Sequence, residues 1–146
     1  MTSSTMDLRD SRPDMVTDVR HWVAAELAGH AGETRGDILL VVTELVSNAY
    51  DHGGGPCEVR LLRSDSPWQV VIEVDDTNAR LPTMGSSRFA AGTHRGNGLV
   101  LVDGLATEWG VTLHPDDGGK TVWARFARHS DPSSTGGSNG RPFHPA

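Results

Sequence analysis

The stretch Ile38-Leu-Leu-Val-Val-Thr-Glu44-Leu-Val-Ser-Asn48-Ala-Tyr-Asp51-His52-Gly is the one on which the fold turns. Ile38, Val41, Val42, Leu45 and Ala49 recur at helical spacing, and the glycines Gly53 to Gly55 end the pattern, so a largely buried helix is expected. At about 100° per residue, Glu44, Asn48, Asp51 and His52 fall near about 0°, 40°, −20° and 80°, and the apolar stripe is centred near about 120°. The polar row therefore runs along the edge of the buried face, where it borders a cleft. A carboxylate and a carboxamide one turn apart suit a bound metal-phosphate, with Asn48 offering an oxygen to Mg2+ and Glu44 orienting a water or hydroxyl. An ordinary solvated helix flank is the other reading of the same four residues.

On the N-terminal side, Val16, Val19, Val23 and Leu27 form an amphipathic stripe that begins after Pro13-Asp14 and ends near Gly29, which predicts a first helix. On the C-terminal side, Cys57, Val59 and Leu61 alternate with Glu58 and Arg60, and Trp68, Val70, Ile72 and Val74 alternate with polar residues. Joined through Ser64-Asp-Ser-Pro67, these make an antiparallel hairpin. Gly98 to Ala106 suits a short buried helix, and Trp109 to Leu113 and Thr121 to Phe126 suit two more strands around a turn at 115–119. The order helix, helix, strand, strand, loop, helix, strand, strand points to an α+β fold, a two-layer sandwich. Its mixed, mainly antiparallel sheet of four strands is covered on one face by three helices.

Strand parity separates Asp75 from Asp76. Asp76 shares the covered face with Val70, Ile72 and Val74, and Asp75 points the other way. A carboxylate under the helices requires a donor, which could be the exocyclic amine of a purine, or an internal Arg or backbone N–H. Further on, Gly92-Thr-His-Arg95-Gly96-Asn97-Gly98-Leu99 is a glycine-rich turn entering a helix, a natural phosphate cradle. Gly119-Lys120-Thr121 only imitates a P-loop, because His114 occupies the position of its first glycine. The seven His lack metal-ligand spacing, Cys57 is the single cysteine, and no Gly-x-Ser-x-Gly elbow occurs.

With 146 residues there is room for one domain. It is expected over residues 14–127, with a flexible N-terminus at 1–13, in which Met6 and Leu8 could add a strand to a partner or across a dimer. A Ser-, Gly- and Pro-rich tail at 128–146 is expected to be disordered. The lone Cys57 excludes a disulfide framework, and the start of the chain lacks the features of a signal peptide; a cytoplasmic protein is expected. The longest apolar run, residues 38–42, is far short of a membrane span. Net charge is −6, which argues against direct nucleic-acid or membrane binding. That total conceals an island: residues 77–95 carry Arg80, Arg88 and Arg95 and no carboxylate. The island is either a solvated loop or an anion site.

The sequence Glu44-Leu-Val-Ser-Asn48-Ala-Tyr-Asp51-His52-Gly, the strand ending in Asp76, the turn Gly96-Asn97-Gly98-Leu99 and Gly119-Lys-Thr121 together resemble the GHKL (Bergerat-fold, HATPase_c) ATPase superfamily. Within it they look like the small actinobacterial anti-sigma-factor serine kinases. The resemblance spans about residues 14–127. It implies ATP and Mg2+ as cofactors, with Glu44 the catalytic general base at a substrate hydroxyl and Asn48 the metal ligand. Asp76 would take the adenine amine, assisted by Thr121, with Asp51 beside the nucleotide. Arg95, Gly96, Asn97, Gly98 and Leu99 would line the phosphate side, and residues 77–95 would form the lid. The implied partners are a sigma factor and an anti-anti-sigma (STAS-domain) protein phosphorylated on serine, and relatives form homodimers. Twelve Arg to one Lys agrees with a high-GC, actinobacterial source. One box departs: where the superfamily has Asp-x-Gly-x-Gly, this chain has Asp76-Thr-Asn78-Ala-Arg80, which removes close backbone approach and easy access to positive φ. A kinase-like interaction module with weak or absent nucleotide binding is therefore the alternative function, and a sensor histidine kinase fragment a weaker third.

Overall fold

The computed structural model describes residues 1–12, 14–52, 54–80, 98–128 and 144–145. Its elements are β1 (Thr2–Asp7), α1 (Met15–Glu26), a 3-10 turn (Gly32–Thr34), α2 (Arg35–His52), β2 (Pro56–Asp65), β3 (Trp68–Asp76), α3 (Gly98–Leu105), β4 (Glu108–His114), β5 (Gly119–Ala127) and β6 (His144–Pro145). The strands lie in the order β1-β2-β3-β5-β4-β6. The first five are antiparallel to their neighbours, and β6 adds a short parallel pairing to β4.

Alternation explains the layers. Val59 and Leu61 on β2, Val70, Ile72 and Val74 on β3, and Val122, Ala124 and Phe126 on β5 are buried on one sheet face. They meet Ile38, Val41, Val42, Leu45, Val46 and Ala49 of α2, which packs over β2, β3 and β5 and against both α1 and α3. Each such aliphatic side chain contributes about 1.5–3 kcal/mol through burial. α1 adds Met15, Val19 and Val23, with Leu27 just past its end. Trp109 on β4 is buried, and its indole N–H donates to Asp103 Oδ1 of α3 at 2.9 Å. The intervening residues face the uncovered side and pair among themselves. Arg60 bonds Glu58, Glu73 and Asp75, and Arg125 bonds Glu108.

This is the α+β sandwich read from the pattern, with one more principal strand. The start of the chain corrects the expected flexible N-terminus: β1 pairs along its whole length with β2 of the same chain, and Leu8 is buried at 1% exposure. Most of the tail lies outside the described residues. At its root, the Arg128 guanidinium sits 4.3 Å above the Trp68 ring. Among the described residues no helix is long and apolar enough to cross a membrane.

Candidate functional site

The C-terminal end of α2, the end of β3 and the start of β5 converge. The backbone after α2 turns back at once, with the Gly55 N–H donating to the Ala49 carbonyl at 3.0 Å. Gly54 has φ +80, and a Cβ there would collide with the Thr77 hydroxyl. Gly119 lies so near the Asp76 carbonyl oxygen that a Cβ on it would collide too. Two glycines thus draw the α2 loop and the β5 start onto the segment 76–78, a close approach that only residues without a side chain permit.

At the centre is Asp76. As parity required, it faces the helix side, and its side chain is only 2% exposed. Its donor is internal. The Lys120 side chain, 4% exposed, places Nζ 2.8 Å from Asp76 Oδ2, and the Asn78 N–H donates to Oδ1 at 3.0 Å. Lys120 also donates to the Asn78 carbonyl at 2.7 Å, closing a ring of contacts around the turn. Burial pushes the Asp76 carboxyl above its ordinary value, and the Lys120 and Asn78 donors offset only part of that. Removing one partner of a buried pair costs about 3–5 kcal/mol, above the roughly 1.5–3 kcal/mol of a single hydrogen bond to a charged group. The pair is therefore a fixed part of the site.

Thr121 stands elsewhere, which corrects its assignment beside Asp76. Asp75 pairs with Thr121 across the β3–β5 ladder and Asp76 pairs with Lys120. The Thr121 hydroxyl accordingly donates to Asp75 Oδ1 at 2.5 Å on the uncovered face, with His114 Nε2 at 2.8 Å. Lys120 is the residue that sequence reasoning missed. The signal was present, since Val122, Ala124 and Phe126 put position 120 on the inward parity and 121 on the outward one.

Glu44, Asn48 and Asp51 are half-buried along α2, beside the buried Leu45 and Ala49, as expected of a row on the edge of the packed face. Gly98 opens α3, and Leu99 is 4% exposed, packed in the core. Arg95, Gly96, Asn97 and most of the expected lid lie outside the described residues. Among the described residues no group of three or more His, Cys, Asp or Glu side chains could hold a metal ion. Asn48 carries the one side-chain amide on this row of α2.

No curated protein matches the chain. The model of the family described as histidine kinase-like ATPase domain matches residues 10–126, from just after β1 to the last residues of β5. That span contains the α2 row, Asp76 and the glycine-tightened start of β5, and the chain belongs to the GHKL-type histidine kinase-like ATPase domain family.

Proposed function

We propose that this protein is an ATP-dependent serine kinase that phosphorylates an anti-anti-sigma (STAS-domain) protein and sequesters a sigma factor. Family membership carries ATP binding. The observation that supports the site is the buried Asp76 carboxylate, in a segment that Gly54 brings close to the end of the helix carrying Glu44 and Asn48 and that Gly119 brings close to the start of β5. Bound ATP with Mg2+ would supply the phosphoryl group. Asp76 would accept from the base amine, and Asn48 would face the metal-phosphate with Asp51 beside it. Glu44, one turn away on α2, would hold the substrate serine hydroxyl and take its proton as the oxygen attacks the γ-phosphorus, the bond to the β–γ bridging oxygen breaking and ADP leaving. Gly98 and Leu99 at the start of α3, with Arg95, Gly96 and Asn97 before them, would meet the phosphates.

The test is transfer of label from ATP to the partner in the presence of Mg2+. Glu44→Ala should reduce transfer by about 100-fold or more, and undiminished transfer would remove Glu44 from the mechanism. A second reading, a non-catalytic module binding the same partners, is favoured by the Asp76-Thr-Asn78-Ala-Arg80 box and by the internal partner already on Asp76. Calorimetric titration separates the two. Micromolar ATP binding abolished by Asp76→Asn supports the kinase, and partner binding without any ATP binding supports the module.

A further inference from the structure

Lys120 is the only lysine of the chain and sits on the residue the proposed function assigns to the nucleotide base. An ammonium has three donors and a carboxylate about four lone-pair sites. Asp76 Oδ2 and the Asn78 carbonyl take two of the donors, and Lys120 and the Asn78 N–H take two of the acceptor sites. By that count one donor of Lys120 and spare acceptor capacity on Asp76 remain, on two groups 2.8 Å apart. Freeing the carboxylate for a neutral amine would break a buried ion pair, which costs more than the new hydrogen bond returns. Gly119, the residue before Lys120, also lies close against the Asp76 backbone, so the two strands are in tight contact at the pair.

We propose that Lys120 stays on Asp76 and reads the base with it. Asp76 accepts from the exocyclic amine, and Lys120 gives its third N–H to the ring nitrogen beside that amine. A 6-aminopurine presents such a donor and acceptor next to one another. Lys120 is then a specificity-determining residue, and the missing glycines after Asp76 are compensated by a side chain. This inference rests on the reading of Asp76 as the base-binding residue.

The experiment is calorimetric titration of the full chain with ATP, 1-deaza-ATP, 7-deaza-ATP and the amine-free purine riboside triphosphate. The wild type should lose about tenfold or more in affinity for one of the two deaza analogues and for the amine-free one. Lys120→Met should remain sensitive to the amine and become indifferent to the ring nitrogen. Equal binding of ATP and both deaza analogues by the wild type, an arm that requires no variant, would overturn the role of Lys120. So would tighter ATP binding by Lys120→Met, which would make the lysine a competitor of the base. If the wild type binds none of the four, the nucleotide reading of the site falls and this inference with it.

Discussion

Gly119 and Gly104 show how differently two glycines act in one chain. At Gly119 a methyl group would run into the Asp76 carbonyl oxygen, which is backbone and has nowhere to go. Gly119→Ala should therefore destabilise the protein by about 1–3 kcal/mol in denaturant unfolding, through overpacking at the ladder that sets Asp76 against Lys120. At Gly104, exposed on α3, nothing lies within 4 Å of an added Cβ. There Gly104→Ala should stabilise by about 0.5–1 kcal/mol, because the helix gains an alanine and the unfolded chain loses freedom. The inward direction of Asp76 was legible because period-2 alternation along β3 is a local property. Its partner was half legible: parity turns Lys120 inward, but which β5 residue sits beside Asp76 is decided by the β3–β5 register, a contact between residues far apart in sequence. Reading that register one residue off exchanges Thr121 for Lys120 and moves the side chain to the opposite face of the sheet.

β1 was the element hardest to see in the sequence. Thr2-Ser-Ser-Thr-Met-Asp offers one apolar side chain, so its strand has almost no hydrophobic alternation of its own. What holds it is the unpaired edge of β2, an inward Ser4 hydroxyl that donates to Glu26 Oε1 of α1 at 2.5 Å, and Leu8, whose N–H donates to the Cys57 carbonyl at 2.9 Å. Leu8→Ala should cost about 2–5 kcal/mol in equilibrium unfolding, the range for a buried leucine. A loss within about 0.5 kcal/mol, as at an exposed surface position, would show that the start of the chain is not part of the core. The helices and the two hairpins, by contrast, were fully legible, since each is specified by its own periodicity and a nearby turn. The glycine-rich segment before α3 was legible as a motif only, because spacing says which groups are available and not where they go.

At the scale of the whole molecule, the acidic body is managed on the uncovered sheet face. Arg60 there receives three carboxylates, those of Glu58, Glu73 and Asp75. They raise the guanidinium further above its already high value. At Asp75 burial pushes the carboxyl up, but the hydrogen bonds from Arg60 and Thr121 outweigh it, and the net shift is downward from 3.8. A carboxyl held low in the folded state contributes stability that is present above its unfolded value, and that stability is lost as pH falls through the lower folded value. The urea midpoint should therefore drop on acidification below about pH 4. Arg60→Met should cost about 1.5–3 kcal/mol at neutral pH. It should also flatten or invert the acid limb, because Asp75 is left half-buried among like charges and gains by protonation. An unchanged acid limb in Arg60→Met would assign the pH dependence to other carboxylates.

β3 and β5 lie side by side, yet 43 residues separate Asp76 from Lys120 along the chain. Each belongs to a local hairpin, β3 with β2 and β5 with β4, and each hairpin closes over a short turn. Joining the two hairpins requires a far longer loop closure, whose entropic cost grows with the length of chain enclosed. The join should then form late in folding, and the Asp76–Lys120 pair lies at its end. Neither hairpin carries the proposed binding site by itself, so on that reading a partly folded chain has strands, turns and helices but does not yet recognise a nucleotide.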